Sequence, residues 1–153
     1  MLQIYNKLLE LPLFIGISNA ELADIVGNTK FGFHKLSEGK ILVKEDEKCE
    51  QLYFLVSGSL RVLSRADNHR YSIEEQLKAP AVIQPEHFFG LIQHHTKTFS
   101  AATACSLLSL DKTEVLRLMD ESFIFRLNFL NTVSMQAQKG SHYPWRQQPT
   151  DIR

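Results

Sequence analysis

Two cysteines in 153 residues, Cys49 and Cys105, are too few and too far apart to staple a fold. No CxxC occurs, which argues against a disulfide framework and against a cysteine-ligated metal centre; a reducing cytoplasm is the expected setting. Net charge is equally absent, since 17 basic and 17 acidic side chains cancel. Holding nucleic-acid phosphates rests on Lys and Arg, so this chain is not expected to read DNA by itself. Long apolar runs are missing too. The N-terminal MLQIYNKLLELPLF carries Lys7 and Glu10, is too short to cross a bilayer, and lacks the form of a signal peptide, so no membrane association is expected. The seven glycines are scattered without a phosphate-cradling or dinucleotide fingerprint. Nor is a nucleophile–base–acid set legible: Ser57 and Ser59 read as turn residues, and no His is placed by motif beside a Ser or Cys. No catalytic residue and no enzyme activity are expected.

What is present suffices for one domain with a terminal extension: 44% of residues are hydrophobic and 22% charged. Ile4, Leu8, Leu9 and Leu11 recur at helical spacing until Pro12, and Ser18 to Glu21 forms a capping box that opens a second short helix running to about Val26. From Lys30 to Asp111 the period becomes two. Strands are expected near 30–36, 40–44, 50–57, 59–66, 70–77, 81–84, 98–103 and 106–111, with turns at Gly58 and at Asp67-Asn68. Many short strands at regular spacing point to a roll or barrel rather than a βαβ sheet.

From Lys112 the helical period returns, as a short helix near 112–119 and a longer one from about Glu121 to Lys139. Along the longer helix Phe123, Leu127, Leu130, Ser134 and Ala137 make one stripe at 4-3 spacing, while Phe125, Phe129 and Val133 make another on roughly the opposite side. A helix apolar on two faces must be covered on two faces. The strands can cover one; the same helix of a second copy, packed as a parallel coiled coil, is expected to cover the other, the alternative being a helix tucked fully into its own domain. Beyond Lys139 the helical signal fails at Gly140, Ser141 and Pro144, and Pro149 to Arg153 reads as the opening turn of a new helix. The expectation is a chain cut from a longer one, with Trp145 packing at the joint.

The segments LPLFIGISNAEL, GKILVKEDE, LYFLVSGSLRV, Phe89-Gly90, TACSLLSLDKTEVLRLM and the long helix together resemble the effector domain of the Crp/Fnr transcription regulators over nearly the whole chain. The resemblance implies a mainly β fold with flanking helices: a double-stranded, jelly-roll-like β-roll plus a long C-terminal dimerisation helix. It divides the chain into a cyclic-nucleotide-binding-like roll with N-terminal helices (1–119), a dimerisation helix (120–143) and the start of a linker to a missing helix-turn-helix domain (144–153). DNA would be reached only through that missing domain. The implied function is effector sensing and dimerisation for a bacterial, cytoplasmic regulator; the alternative is a regulatory or interaction domain of a non-transcriptional protein.

Nucleotide-binding members of this family carry a phosphate cassette of the form FGEL, a short helix, then Arg-Ser/Thr-Ala. A helix N-terminus and Arg neutralise the cyclic phosphate, while Glu accepts from the ribose hydroxyl. Here the segment is FFGLIQHHTKTFSAA. Phe89 and Gly90 match, but Leu91 stands where Glu belongs. One alignment places His95 at the Arg position with Thr96 following; another places Lys97 there with Thr98 following. Neither reproduces the planar two-toothed grip of a guanidinium. Losing such charge-assisted bonds costs about 1.5–3 kcal/mol each, which weighs against tight cyclic-AMP binding. The purine-contacting Thr-Ser pair of the long helix is also unmatched, since that region holds Gln138-Lys139. The candidate pocket residues are therefore Phe89, Gly90, Leu91, His95, Thr96, Lys97, Thr98 and Gln138, with the effector unknown.

Adjacent strand residues point to opposite faces, so His94 and His95 are expected to be solvated loop residues rather than a metal pair; haem through a histidine is the lesser alternative. Cys49, in the charged turn Lys48 to Glu50, is read as an exposed thiol, and Cys105 as core packing.

Overall fold

The computed structural model describes residues 2–65 and 72–141 of the chain. The expected turn at Asp67-Asn68, the first residues of the 70–77 strand, Trp145 and the linker from 144 lie outside the described residues. Helices α1 (Leu2–Glu10) and α2 (Asn19–Asn28) lead into eight strands: β1 (Gly32–Leu36), β2 (Ile41–Val43), β3 (Gln51–Ser57), β4 (Ser59–Arg65), β5 (Ser72–Lys78), β6 (Ala81–Val82), β7 (Thr98–Ala101) and β8 (Cys105–Asp111). A short 3-10 turn, Pro85–His87, follows β6, and α3 (Lys112–Glu121) and α4 (Phe123–Ser141) close the order.

The strands form two four-stranded antiparallel sheets, β1-β8-β3-β6 and β2-β7-β4-β5. Among the described residues no two consecutive strands except β4 and β5 are hydrogen-bonded neighbours, so the chain alternates between the layers as a jelly-roll-like roll requires. Gly58 is the hinge between β3 and β4. Its φ is +93°, and a Cβ there would run into the Ala104 carbonyl and Cys105. Only glycine meets both demands.

Side chains alternate across each strand, and the two faces of β3 feed two cores. Leu52 and Phe54 join Leu108, Leu110 and the helices, where the Phe14 ring lies 5.6 Å from Phe54 and 5.3 Å from Phe125. Leu55 faces the other way, into the space between the sheets, with Leu60, Ile83, Phe99 and Leu107. Cys105 belongs to this inner core, as expected.

Helix boundaries follow from local caps. The Ser18 hydroxyl accepts from the Glu21 amide at 3.2 Å and opens α2. Asp111 accepts from the Glu114 amide at 2.9 Å and opens α3, a capping signal as plain in the sequence as that of Ser18. Ser122 breaks the chain between α3 and α4. Its backbone is extended (φ −121°, ψ 113°), and its hydroxyl accepts from the Phe125 amide at 3.2 Å. The long helix thus starts after a cap at Ser122 rather than at Glu121, and runs two residues past Lys139 to Ser141.

The two stripes of α4 part as the spacing requires. Phe125 is 0% exposed and Phe129 is buried against the roll, whereas Phe123 is 62% and Leu130 55% exposed, with Leu127, Ser134 and Ala137 exposed on the same side. Asn128 fixes the helix's rotation, donating to the carbonyls of Leu13 at 2.9 Å and Ile15 at 2.8 Å.

Candidate functional site

The segment between β6 and β7 carries the cassette, and its backbone is held by a remote turn. The Asp46 amide donates to the His95 carbonyl at 2.7 Å, the His95 amide to Glu47 at 2.8 Å, and the Cys49 amide to Gln93 at 2.8 Å. This zipper turns alternate side chains inward and outward. His94 is exposed, but His95 is only 2% exposed, and Cys49 only 1%. Both departures from expectation have the same cause: a polar-looking turn and a polar-looking loop cover each other.

His95 does not face solvent as a loop residue would. Its Nδ1 donates to Gln84 Oε1 at 3.1 Å, an oxygen that also accepts from the Thr96 amide at 3.2 Å, while Gln84 Nε2 donates to Thr96 Oγ1 at 2.7 Å. Gln84, buried and in the left-handed region (φ 44°, ψ 54°), is thereby clamped just before Pro85. Burial pushes the His95 pKa down, the nearby Glu47 opposes this, and His87 adds to it. A buried neutral imidazole engaged on this amide is no substitute for a phosphate-gripping arginine.

Cys49 is likewise not an exposed thiol. Burial pushes its pKa up to about 11, with Lys112 pulling down and Glu86 pushing further up. Such a thiol is almost wholly protonated near neutrality and is a packing residue.

Where the β-roll meets α4 there is a pocket of about 190 Å³. Val62, Leu77, Ile83 and Phe99 supply its apolar wall; Glu75, Gln84, Glu86, Lys97 and Gln136 supply polar groups. Of the residues expected from sequence, Lys97 lines it. Leu91 does not: it is 103% exposed, beyond Gly90 at φ +94°. Thr98 is engaged elsewhere, its hydroxyl accepting from the Glu45 amide at 3.0 Å. The glutamine that α4 contributes is Gln136 rather than Gln138. Two residues on a helix turn the side chain by about 200°, so the register decides which of the two faces the roll.

The electrostatics of the pocket differ from those of an anion cradle. Lys97 Nζ lies 4.0 Å from a Glu75 carboxylate oxygen, so its charge is partly spent. Glu86 adds a second carboxylate, whose Oε1 is shielded from solvent without a hydrogen-bond partner among the described residues. The 3-10 turn begins with Pro85, which has no N–H to offer. Sequence reasoning missed Gln84, Glu75 and Glu86. Only Gln84, preceding a proline beside the FFG turn, carried a local signal.

Phe89 and Gly90 do not wall the pocket; Phe89 joins the cassette to α4. Its ring lies 5.9 Å from that of Phe129 and 5.0 Å from that of Phe88. Lys112, the first residue of α3, donates to the Phe88 carbonyl and sits 4.0 Å from the Phe88 ring centroid. The cassette is therefore packed onto both C-terminal helices.

Roll, cassette and following helix define a class, and the sequence comparison agrees: residues 33–122 match the cyclic nucleotide-binding domain, and the chain belongs to that family. Among solved structures it is similar to the sensor domain of the transcriptional regulator DNR from Pseudomonas aeruginosa, at 16% identity and TM-score 0.72, covering 93% of this chain and 94% of that one. It is similar to the Thermus thermophilus catabolite activator protein, at 16% identity and TM-score 0.74, over 85% of this chain and 60% of that one. A transcriptional regulator from Thermotoga maritima aligns at 21% identity and TM-score 0.66, covering 78% and 92%. No curated protein sequence matches the chain. At these identities the structural likeness is one of fold. No helix among the described residues is long and apolar enough to cross a membrane.

Proposed function

We propose that this chain is the effector-sensing and dimerisation domain of a Crp/Fnr-type transcription regulator, and that its effector is not cyclic AMP. The observation that carries the reading is the two-sided use of α4. One side holds Phe129 against Phe89 of the cassette, and the other leaves Phe123, Leu127 and Leu130 open in a heptad-like row. An event in the pocket bears on Gln136 and, through the cassette, on the Phe89–Phe129 contact, and so shifts the helix against the roll; a partner helix on the open row would pass that shift to whatever follows. This is a population shift between two packings. The regulators to which the fold is similar support this role. DNA contact falls to a further domain in this reading, because 17 basic and 17 acidic side chains leave no positive excess here.

The cassette argues the identity of the effector by exclusion. A cyclic phosphate would meet Glu75 and Glu86 with Lys97 alone to balance them, and no side chain at the Leu91 position to take the ribose hydroxyl. The dimer is tested by Leu130→Asp: the solution mass measured by light scattering should fall to that of a single chain. An unchanged mass with an unchanged fold would mean that the row is not a seam.

A further inference from the structure

A second cavity, lined mainly from the face of the β1-β8-β3-β6 sheet opposite the inner core but also by His34 and Leu107, is larger than the roll pocket and differs from it in chemistry. It measures about 560 Å³ and lies between α1 and the strands. Ligand cavities typically span about 300–1,000 Å³. Phe33 and Lys35 are two apart on β1 and so share a face; their cross-strand neighbours on β8 are Leu108 and Ser106, and Ser106 in turn faces Ser57 on β3. The floor is therefore graded: Phe33, Leu108 and Val56 form an apolar end, and Lys35, Ser106 and Ser57 a polar one. Lys7 of α1 brings a second cation to the wall.

Among the described residues no acidic side chain lines this cavity, and neither Lys7 nor Lys35 has an ion pair. Two uncompensated ammonium groups beside an apolar floor favour one negative charge on an apolar body. Phe33 is a large exposed aromatic at that floor, which a ligand would cover.

We propose that this groove binds a small amphipathic monocarboxylate, with its apolar body on Phe33, Val56 and Leu108 and its carboxylate between Lys7 and Lys35. The site is separate from the roll pocket and independent of the reading of α4. Because α1 forms one wall and the sheet the other, the ligand ties the N-terminal helix to the roll.

The test is isothermal titration of the whole chain with sodium decanoate and, separately, 2-naphthoate. The two acids share the chemistry and distinguish an acyl from an aromatic source by which binds tighter. One molecule should bind per chain, more tightly than decanol, which has the same tail without the charge. Lys7→Glu with Lys35→Glu should weaken binding by at least ~tenfold, which is about 1.4 kcal/mol. Both lysines are exposed, so the unfolding curve of that variant should be unchanged. Phe33→Ser, which removes floor rather than charge, should weaken the same acid. Absence of saturable binding for both acids, or undiminished affinity in the double lysine variant, overturns the proposal. The solution mass of the double variant is expected to match the wild type, which keeps this result separable from the fate of the α4 seam.

Discussion

His95 Nδ1 donates to Gln84 Oε1 at 3.1 Å across a separation of eleven positions, and with the two Gln84–Thr96 bonds it joins the two ends of the cassette. It makes a histidine with no sequence signal of burial into a structural clamp.

The clamp has a pH signature. The folded-state pKa of His95 is lowered from 6.5, chiefly by burial, so the folded chain binds fewer protons than the unfolded chain just below that pH. Stability is therefore fully present above about pH 6.5 and is lost as pH falls toward the depressed folded value. Urea midpoints measured from pH 7.5 down to 5 should decline, and His95→Gln should flatten that decline. A wild-type midpoint independent of pH over this range would show that His95 is not held neutral.

The two faces of α4 should answer differently to truncation. Phe125 is 0% exposed, and Phe125→Ala should cost about 3–5 kcal/mol of unfolding free energy, the usual range for a buried aromatic. Leu127→Ala, on the exposed side, should cost much less in a monomeric chain and act instead on self-association. Denaturant titrations at two protein concentrations separate the effects: concentration dependence belongs to the seam alone.

Neither thiol should be reactive in the folded protein. Cys49 is pushed up to about 11 and Cys105 is also raised by burial. A thiol-disulfide reagent at pH 8 should leave both untouched until urea is added, when both titrate. Fast release from one thiol under native conditions would contradict the burial of Cys49.

Cyclic AMP should leave thermal unfolding unchanged. A ligand at a hundred times its dissociation constant stabilises by about 2.7 kcal/mol, a shift easily seen in a domain of this size. A clear upward shift would mean that Lys97 suffices for the phosphate despite Glu75 and Glu86, and the excluded effector would return.

The alternation of Leu52, Phe54, Leu60 and Val62, the turn at Gly58 and the Ser18 cap were all legible in the chain, because each is a local pattern within a few residues. So were the two stripes of α4, which follow from helical period alone. The cassette is legible as a segment, but the burial of His95 within it is not. Whether Lys48 to Glu50 faces water depends on residues 93–95, more than forty positions away, and no local pattern encodes that pairing.

The sequence by itself determined many short strands followed by a two-faced terminal helix, and it placed Leu91 after Phe89-Gly90 with no arginine from Phe88 to Ala102, since these are matters of residue type and short-range period. Tertiary structure alone decided that Cys49 and His95 are interior, that Gln136 rather than Gln138 meets the pocket, and that Glu75 and Glu86 stand beside Lys97. The physical reason is the range of the cause: burial and electrostatic neighbours are set by long-range pairing and by helix rotation, which here are fixed by contacts such as Asn128 with Leu13 and Ile15.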